Sequence, residues 1–174
     1  MQKSAVEHLT TFRQMEARDF GSVVTIVTTD FEALYAYKRG DYQQCLQLST
    51  QNVHTLLYAD GMPDIPTYPE FIQLLDDDIV SLTALTVIVN PKCRGWTRCV
   101  LITQLTLSLY LMTQCQLKLR QSMTSLAQTL DYIKIAHRRH PVEHTLDRLT
   151  LKLVERKLLS YMTMHIGLKR FPSD

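Results

Sequence analysis

The chain has 174 residues, 45% of them hydrophobic and 21% charged, with five Gly and six Pro. That length supports one domain with a real core, and the low Gly and Pro content excludes a fibrous or disordered chain. Nineteen Lys and Arg against 17 Asp and Glu leave a net charge of +2, too small for a chain that coats nucleic acid along its whole length.

From Ser4 to Arg18 the apolar residues Val6, Leu9, Phe12 and Met15 recur in steps of three, which is a helical stripe. Lys3, Glu7, Arg13, Glu16, Arg18 and Asp19 interrupt the apolar run that a secretory leader needs. After Gly21, the segment Ser22–Arg39 reads as a second helix. Its first part, Val23, Val24, Ile26 and Val27, looks locally like a strand, but no strand of comparable quality lies nearby to pair with it. Thr29 and Glu32 have the pattern of a capping box, so a start at Thr29 is the alternative.

Gly40 closes that helix and Asp41 caps the next, which runs to about Tyr58. Asp60 to Pro66 is a loop. Thr67, Pro69 and Glu70 open a helix at about Tyr68. Its stripe is Phe71, Leu74, Leu75, Ile79, Leu82, Leu85 and Val89, and Asn90-Pro91 stops it. A further helix spans Trp96 to about Lys118. Within it, Cys99 to Leu117 carries no charge and has the length of a membrane span. Thr103, Gln104, Thr106, Ser108, Thr113, Gln114 and Gln116 are scattered through it, and such groups are costly in lipid. The segment is therefore expected to be the central helix of a soluble core. Ser122 or a neighbour starts another helix, with Leu126, Leu130, Ile133 and Ala136 or His137 as its stripe. His140-Pro141 breaks it, and the last helix runs from Val142 to about Ile166, with Gly167 placed to end it.

The expected fold class is all-α: about seven antiparallel helices with short connections, arranged as stacked helical hairpins. Residues 1–170 form a single domain and residues 171–174 a loose tail.

The stretch Tyr37-Lys38-Arg39-Gly40-Asp41-Tyr42-Gln43-Gln44-Cys45-Leu46 resembles the turn of a tetratricopeptide repeat. Gly40 takes the left-handed closing position, Asp41 caps, and Tyr42 packs over the elbow. The resemblance covers Phe31 to Leu56. It makes Ala33 and Cys45 the small residues that let the two helices approach. Ser49 stands where the family usually carries an aromatic, and Asn52 where it carries a small apolar residue. No second copy stands at the 34-residue spacing of the family, although the Tyr110 to Tyr132 helix pair has the form of a degenerate one. The resemblance implies a stacked-hairpin fold that recognises protein.

No nucleophile elbow, phosphate-cradling glycine loop or His-Glu-x-x-His pattern is present, so the chain is expected not to be an enzyme and to need no cofactor. His137, Glu143, His140 and His144 cluster in sequence, but the His140-Pro141 break and the lack of a cysteine pair argue against zinc. Asp76, Asp77 and Asp78 fan out by about 100° each on a helix and so do not converge on one cation. Cys45, Cys93, Cys99 and Cys115 are widely spaced, as in reduced thiols of an intracellular protein, cytoplasmic or nuclear.

Charge is unevenly distributed. Residues 1–133 hold 10 basic and 13 acidic side chains, and residues 134–174 hold 9 basic and 4 acidic. Arg148, Lys152 and Arg156 recur at every fourth position of the last helix and share one face. With Arg138 and Arg139 they are the candidate binding residues. A solvated helix face is the simpler reading of the stripe, because such stripes are common. The functional expectation is a protein-protein interaction or scaffold module that binds a peptide or partner helix in a groove between hairpins. The partner is a protein or peptide, an acidic one among the candidates. Two alternatives stand beside it. One is self-association, pairing the acidic middle of one copy with the basic helix of another. The other is nucleic-acid binding by the basic C-terminal helices, which the lack of interleaved exposed aromatics disfavours.

Overall fold

The computed structural model describes residues 23–58, 65–67, 77–89, 101–139 and 145–168. Six α-helices occupy them: α1 (Val23–Lys38), α2 (Tyr42–Tyr58), α3 (Asp77–Val89), α4 (Gln104–Lys118), α5 (Met123–Arg139) and α6 (Thr145–Leu168). The all-α class is as the sequence implies. The expected first helix, residues 4–18, lies outside the described residues, as do 68–76 of the fourth.

The β-like run is helical. α1 begins at Val23, so Thr29 does not cap it but sits wholly buried within it, as do Ile26, Asp30 and Ala33. Burial of this face against α2 and α4 overrides the local β preference of the valines.

Two hairpins are closed by the same pair of backbone hydrogen bonds. At the α1–α2 turn, Asp41 N–H donates to the Ala36 carbonyl at 2.9 Å and Gly40 N–H to Tyr37 at 3.0 Å. At the α4–α5 turn, Gln121 N–H donates to Gln116 at 3.0 Å and Arg120 N–H to Leu117 at 3.3 Å. This is the Schellman closure, which needs a residue in the left-handed region. Gly40 supplies it at φ +79° and Arg120 at φ +51°. Each turn then caps the next helix: Asp41 Oδ1 accepts from Gln44 N–H at 3.1 Å, and Ser122 Oγ accepts from Ser125 N–H at 3.3 Å. Tyr37 and Tyr42 meet edge to face across the first elbow, with centroids 5.7 Å apart.

α4 is the centre of the molecule. It packs against α1, α2, α5 and α6, and every residue from Ile102 to Gln116 is buried. It starts later than the sequence pattern places it. Thr103 is extended (ψ 159°), and its hydroxyl accepts from Thr106 N–H. Just before it, the chain pairs with Ile65–Thr67: Thr67 N–H donates to Ile102 at 2.7 Å and Gln104 N–H to Ile65 at 2.8 Å. The short bridge satisfies backbone groups that would otherwise be buried without partners. Thr67 is held in this bridge by its backbone N–H, and the helix that it is expected to open at about Tyr68 begins outside the described residues.

Several polar groups of α4 reach different neighbours. Ser108 Oγ donates to Asp30 Oδ1 on α1 at 2.6 Å. Gln116 Oε1 accepts from Thr129 on α5 at 2.9 Å, and its amide donates to Ser125 at 3.1 Å. Asp147, buried in the first turn of α6, accepts from Thr103 N–H at 2.8 Å and from the Thr103 hydroxyl at 3.2 Å. A misplaced helix would leave these groups unpaired at a cost of about 1–3 kcal/mol each, so they fix register as well as adding stability.

α6 continues through Gly167 to Leu168. Gly167 therefore does not end it, because glycine within a helix is tolerated at a modest cost. α3 packs on α6, and its inward face differs from the expected stripe. Ile79 and Thr86 are buried and Leu82 half-buried, whereas Leu85 and Val89 are exposed. A helix that is apolar on every side gives its period no power to select the buried face.

Candidate functional site

The core of α6 is a seam of Leu146, Asp147, Thr150, Leu151, Val154 and Leu158, all buried. The candidate basic stripe lies away from it: Lys152 and Arg156 are exposed and Arg148 is half-buried. None of the three has an ion-pair partner among the described residues. Their neighbours are engaged. Lys157 pairs with Asp78 at the start of α3, and His137 Nε2 stands 3.7 Å from Glu155 Oε2 between α5 and α6. His140, Glu143 and His144 lie outside the described residues.

The other two candidates sit at the C-terminal end of α5, where both are exposed. Arg139 turns back to donate from Nη1 to the Leu56 carbonyl on α2 at 3.3 Å, tying the last turn of α2 to α5. Arg138 has no such contact among the described residues. The five candidates thus fall on two helices: Arg138 and Arg139 end α5, where Arg139 braces the last turn of α2, and Arg148, Lys152 and Arg156 form a stripe on α6.

The sequence reading missed two surface features. The first is the outward half of α3. Val80, Leu85, Ile88 and Val89 are among the most exposed large apolar side chains, at 43%, 53%, 69% and 70%. Between them stand Ser81 and Ala84, also exposed and small. The Asp78–Lys157 pair fastens α3 to the turn of α6 that also carries Arg156. The bare apolar face and the unpaired basic stripe are therefore carried by adjoining helices. Asp77 and Asp78 are exposed, and Asp78 meets the basic helix within its own chain.

The second is an aromatic cluster joining α2 to α5. His54 stacks on Tyr58 at 5.9 Å and meets Tyr132 edge-on at 5.4 Å. The Tyr132 hydroxyl lies 3.3 Å from His54 Nε2 and accepts from the Gln128 amide at 2.6 Å. The His54–Tyr58 spacing of four was the available signal in sequence, but pairing with Tyr132 is tertiary.

Within the core, the Asp30 carboxyl is raised from 3.8 to about 7 because burial disfavours its charge. Hydrogen-bonding side chains Ser108 and Asn52 favour the anion but do not offset that. Asn52, one of the departures from the repeat pattern, also donates to the Ile26 carbonyl at 3.0 Å. Ser49, the other, lies 3.8 Å from Cys45 Sγ. Cys45 and Cys115 are both free and buried. The Cys45 thiol beside it, and then burial, hold the Cys115 thiol well above its ordinary value, so it stays protonated and a poor nucleophile. No group of three or more His, Cys, Asp or Glu side chains is placed to hold a metal among the described residues. No helix among them is long and apolar enough to cross a membrane.

Comparison with protein-family models, with curated proteins and with solved structures returns no match.

Proposed function

We propose that the chain is a non-enzymatic interaction module of tetratricopeptide-like type that binds a peptide or a helix of a partner protein. The observation that carries the reading is the repetition of one closure. The α1–α2 and α4–α5 turns use the same two backbone hydrogen bonds around a left-handed residue. The second hairpin packs on the first through α4, and α6 follows as the next helix of the series, against both α4 and α5. Stacking of this kind presents extended surfaces for protein recognition.

The test is capture of partners by the tagged full chain with chemical cross-linking, across a salt series. Proteins retained with shallow salt dependence support the reading. Retention of nucleic acid lost steeply with salt would overturn it in favour of phosphate binding. Capture only of the chain itself, with a dimer by light scattering, would overturn it in favour of self-association. The Asp78–Lys157 pair within one chain weighs against that last reading, since it engages part of the acidic segment that self-association would use.

A further inference from the structure

We infer that Cys45 and Cys115 are a disulfide-forming pair that locks the first helical hairpin to the second. The inference goes beyond the interaction-module reading and is independent of what the module binds.

α2 belongs to the first hairpin and α4 to the second, and no other pair of described helices packs more extensively. Asp30 marks their register. Its carboxyl is hydrogen-bonded by Asn52 on α2 and by Ser108 on α4, the latter at 2.6 Å, so Asn52 and Ser108 stand at one level. Cys45 lies seven residues before Asn52, and Cys115 lies seven residues after Ser108. Seven residues make about two helical turns, so each cysteine shares a face with its reference residue. In antiparallel helices the two steps lead to the same level, and the thiols do meet there. Hydrogen bonding to Cys45 is the largest of the causes that hold the Cys115 thiol above its ordinary value. Both cysteines are free and wholly buried. Ser49, one turn along α2 and 3.8 Å from Cys45 Sγ, is small and buried as well. Small side chains at a helix crossing let the backbones approach, as a disulfide requires.

The bond forms by exchange with a small-molecule disulfide such as oxidised glutathione. The thiolate of one cysteine attacks it, giving a mixed disulfide and releasing one glutathione. The thiolate of the other cysteine then attacks the protein sulfur of the mixed disulfide and releases the second glutathione. The two cysteines are oxidised by two electrons, and the glutathione disulfide is reduced by two. Burial shields both thiols in the finished fold, so exchange takes place as the chain folds or when the α2–α4 seam opens. Burial then shields the product from reductant. Because folding brings the two sulfurs together, the closed bond favours the fold by the same factor.

The test uses the full chain carrying Cys93→Ser and Cys99→Ser, so that only this pair can close. Unfolded chain is equilibrated with reduced and oxidised glutathione, once under folding conditions and once in urea. Acid-quenched products are read by intact mass and by mapping of blocked, unreduced peptides. In the fold, the Cys45–Cys115 bond is expected to persist to a reducing strength about a hundredfold or more above that which breaks it in urea. The oxidised protein is expected to keep its helical circular dichroism and to unfold at higher urea than the reduced one. No advantage of the fold over urea, or glutathione adducts in place of the cross-link under folding conditions, would overturn the inference. So would an oxidised protein that loses helix or unfolds earlier. The wild-type chain, mapped in the same way, guards against a background that does not fold: a predominant Cys45–Cys115 peptide supports the pair, and exclusive bonding of either residue to Cys93 or Cys99 rejects it.

Discussion

Ser108 at the middle of α4 donates its hydroxyl to the buried carboxyl of Asp30 on α1 at 2.6 Å, with both side chains sealed from solvent. The carboxyl titrates near 7 in the fold instead of near 3.8. The fold therefore binds a proton that the unfolded chain releases between these values, and stability falls as pH rises through that window. The shift corresponds to about 4 kcal/mol at most. Asp30→Asn keeps an acceptor for Ser108 and removes the titration. The stability difference, wild type minus Asp30→Asn, is expected to fall from pH 4 to pH 8 in urea melts, roughly within that bound. A difference that stays flat with pH would show that Asp30 does not bind the proton.

The two hairpin turns give a paired prediction of opposite sign. A Cβ built on Gly40 meets nothing within 4 Å, so the cost of Gly40→Ala is backbone strain alone, about 1 kcal/mol. Arg120 already holds a left-handed conformation at φ +51°. Arg120→Gly is therefore expected to stabilise by a few tenths to about 1 kcal/mol. Chemical denaturation of both variants checks the pair, and loss of stability in both would mean that the Arg120 side chain does more than occupy the turn.

Asp147 is expected to be the most sensitive polar residue of α6. It accepts both the backbone N–H and the hydroxyl of Thr103, the cap of α4. Asp147→Ala leaves the buried N–H unpaired and is expected to cost about 2–4 kcal/mol. Asp147→Asn, which can still accept, is expected to cost less. The measurement is the shift in denaturation midpoint, with equal losses for the two variants counting against the hydrogen-bond account.

The buried thiols predict a reactivity pattern. In a Cys93→Ser, Cys99→Ser background, Cys45 and Cys115 are expected to resist an aromatic disulfide reagent at neutral pH in the folded state and to react fully in denaturant. Burial and the mutual contact keep Cys115 protonated, and the thiolate is the reacting species. Rapid modification of the native protein would contradict the packing of α2 against α4.

The helical class, the Gly40 elbow with its Asp41 cap, the Ser122 cap and the buried central helix were all legible in sequence. Each follows from a local cause: a period near 3.6, a residue without Cβ where φ is positive, or a side-chain oxygen three residues before an amide that needs it. The second hairpin closure was hidden, because Arg120 adopts a conformation that its residue type disfavours.

What only the tertiary structure decided is which face goes in and which groups meet. The β-like valines at the start of α1 became helix because α2 and α4 cover their neighbours. The seven polar residues of the central helix said that it was not a membrane span, but not that Ser108 would find Asp30 or that Gln116 would find Thr129. On α3 the pattern named Leu85 and Val89 as core, and packing left both outside. A helix apolar on every side lowers its free energy with any face buried, so the choice falls to the neighbour against which it lies. The uncovered half of α3 is a product of that choice, which is why residue spacing alone could locate the charges of Arg148, Lys152 and Arg156 on the last helix but not the exposed apolar face of α3.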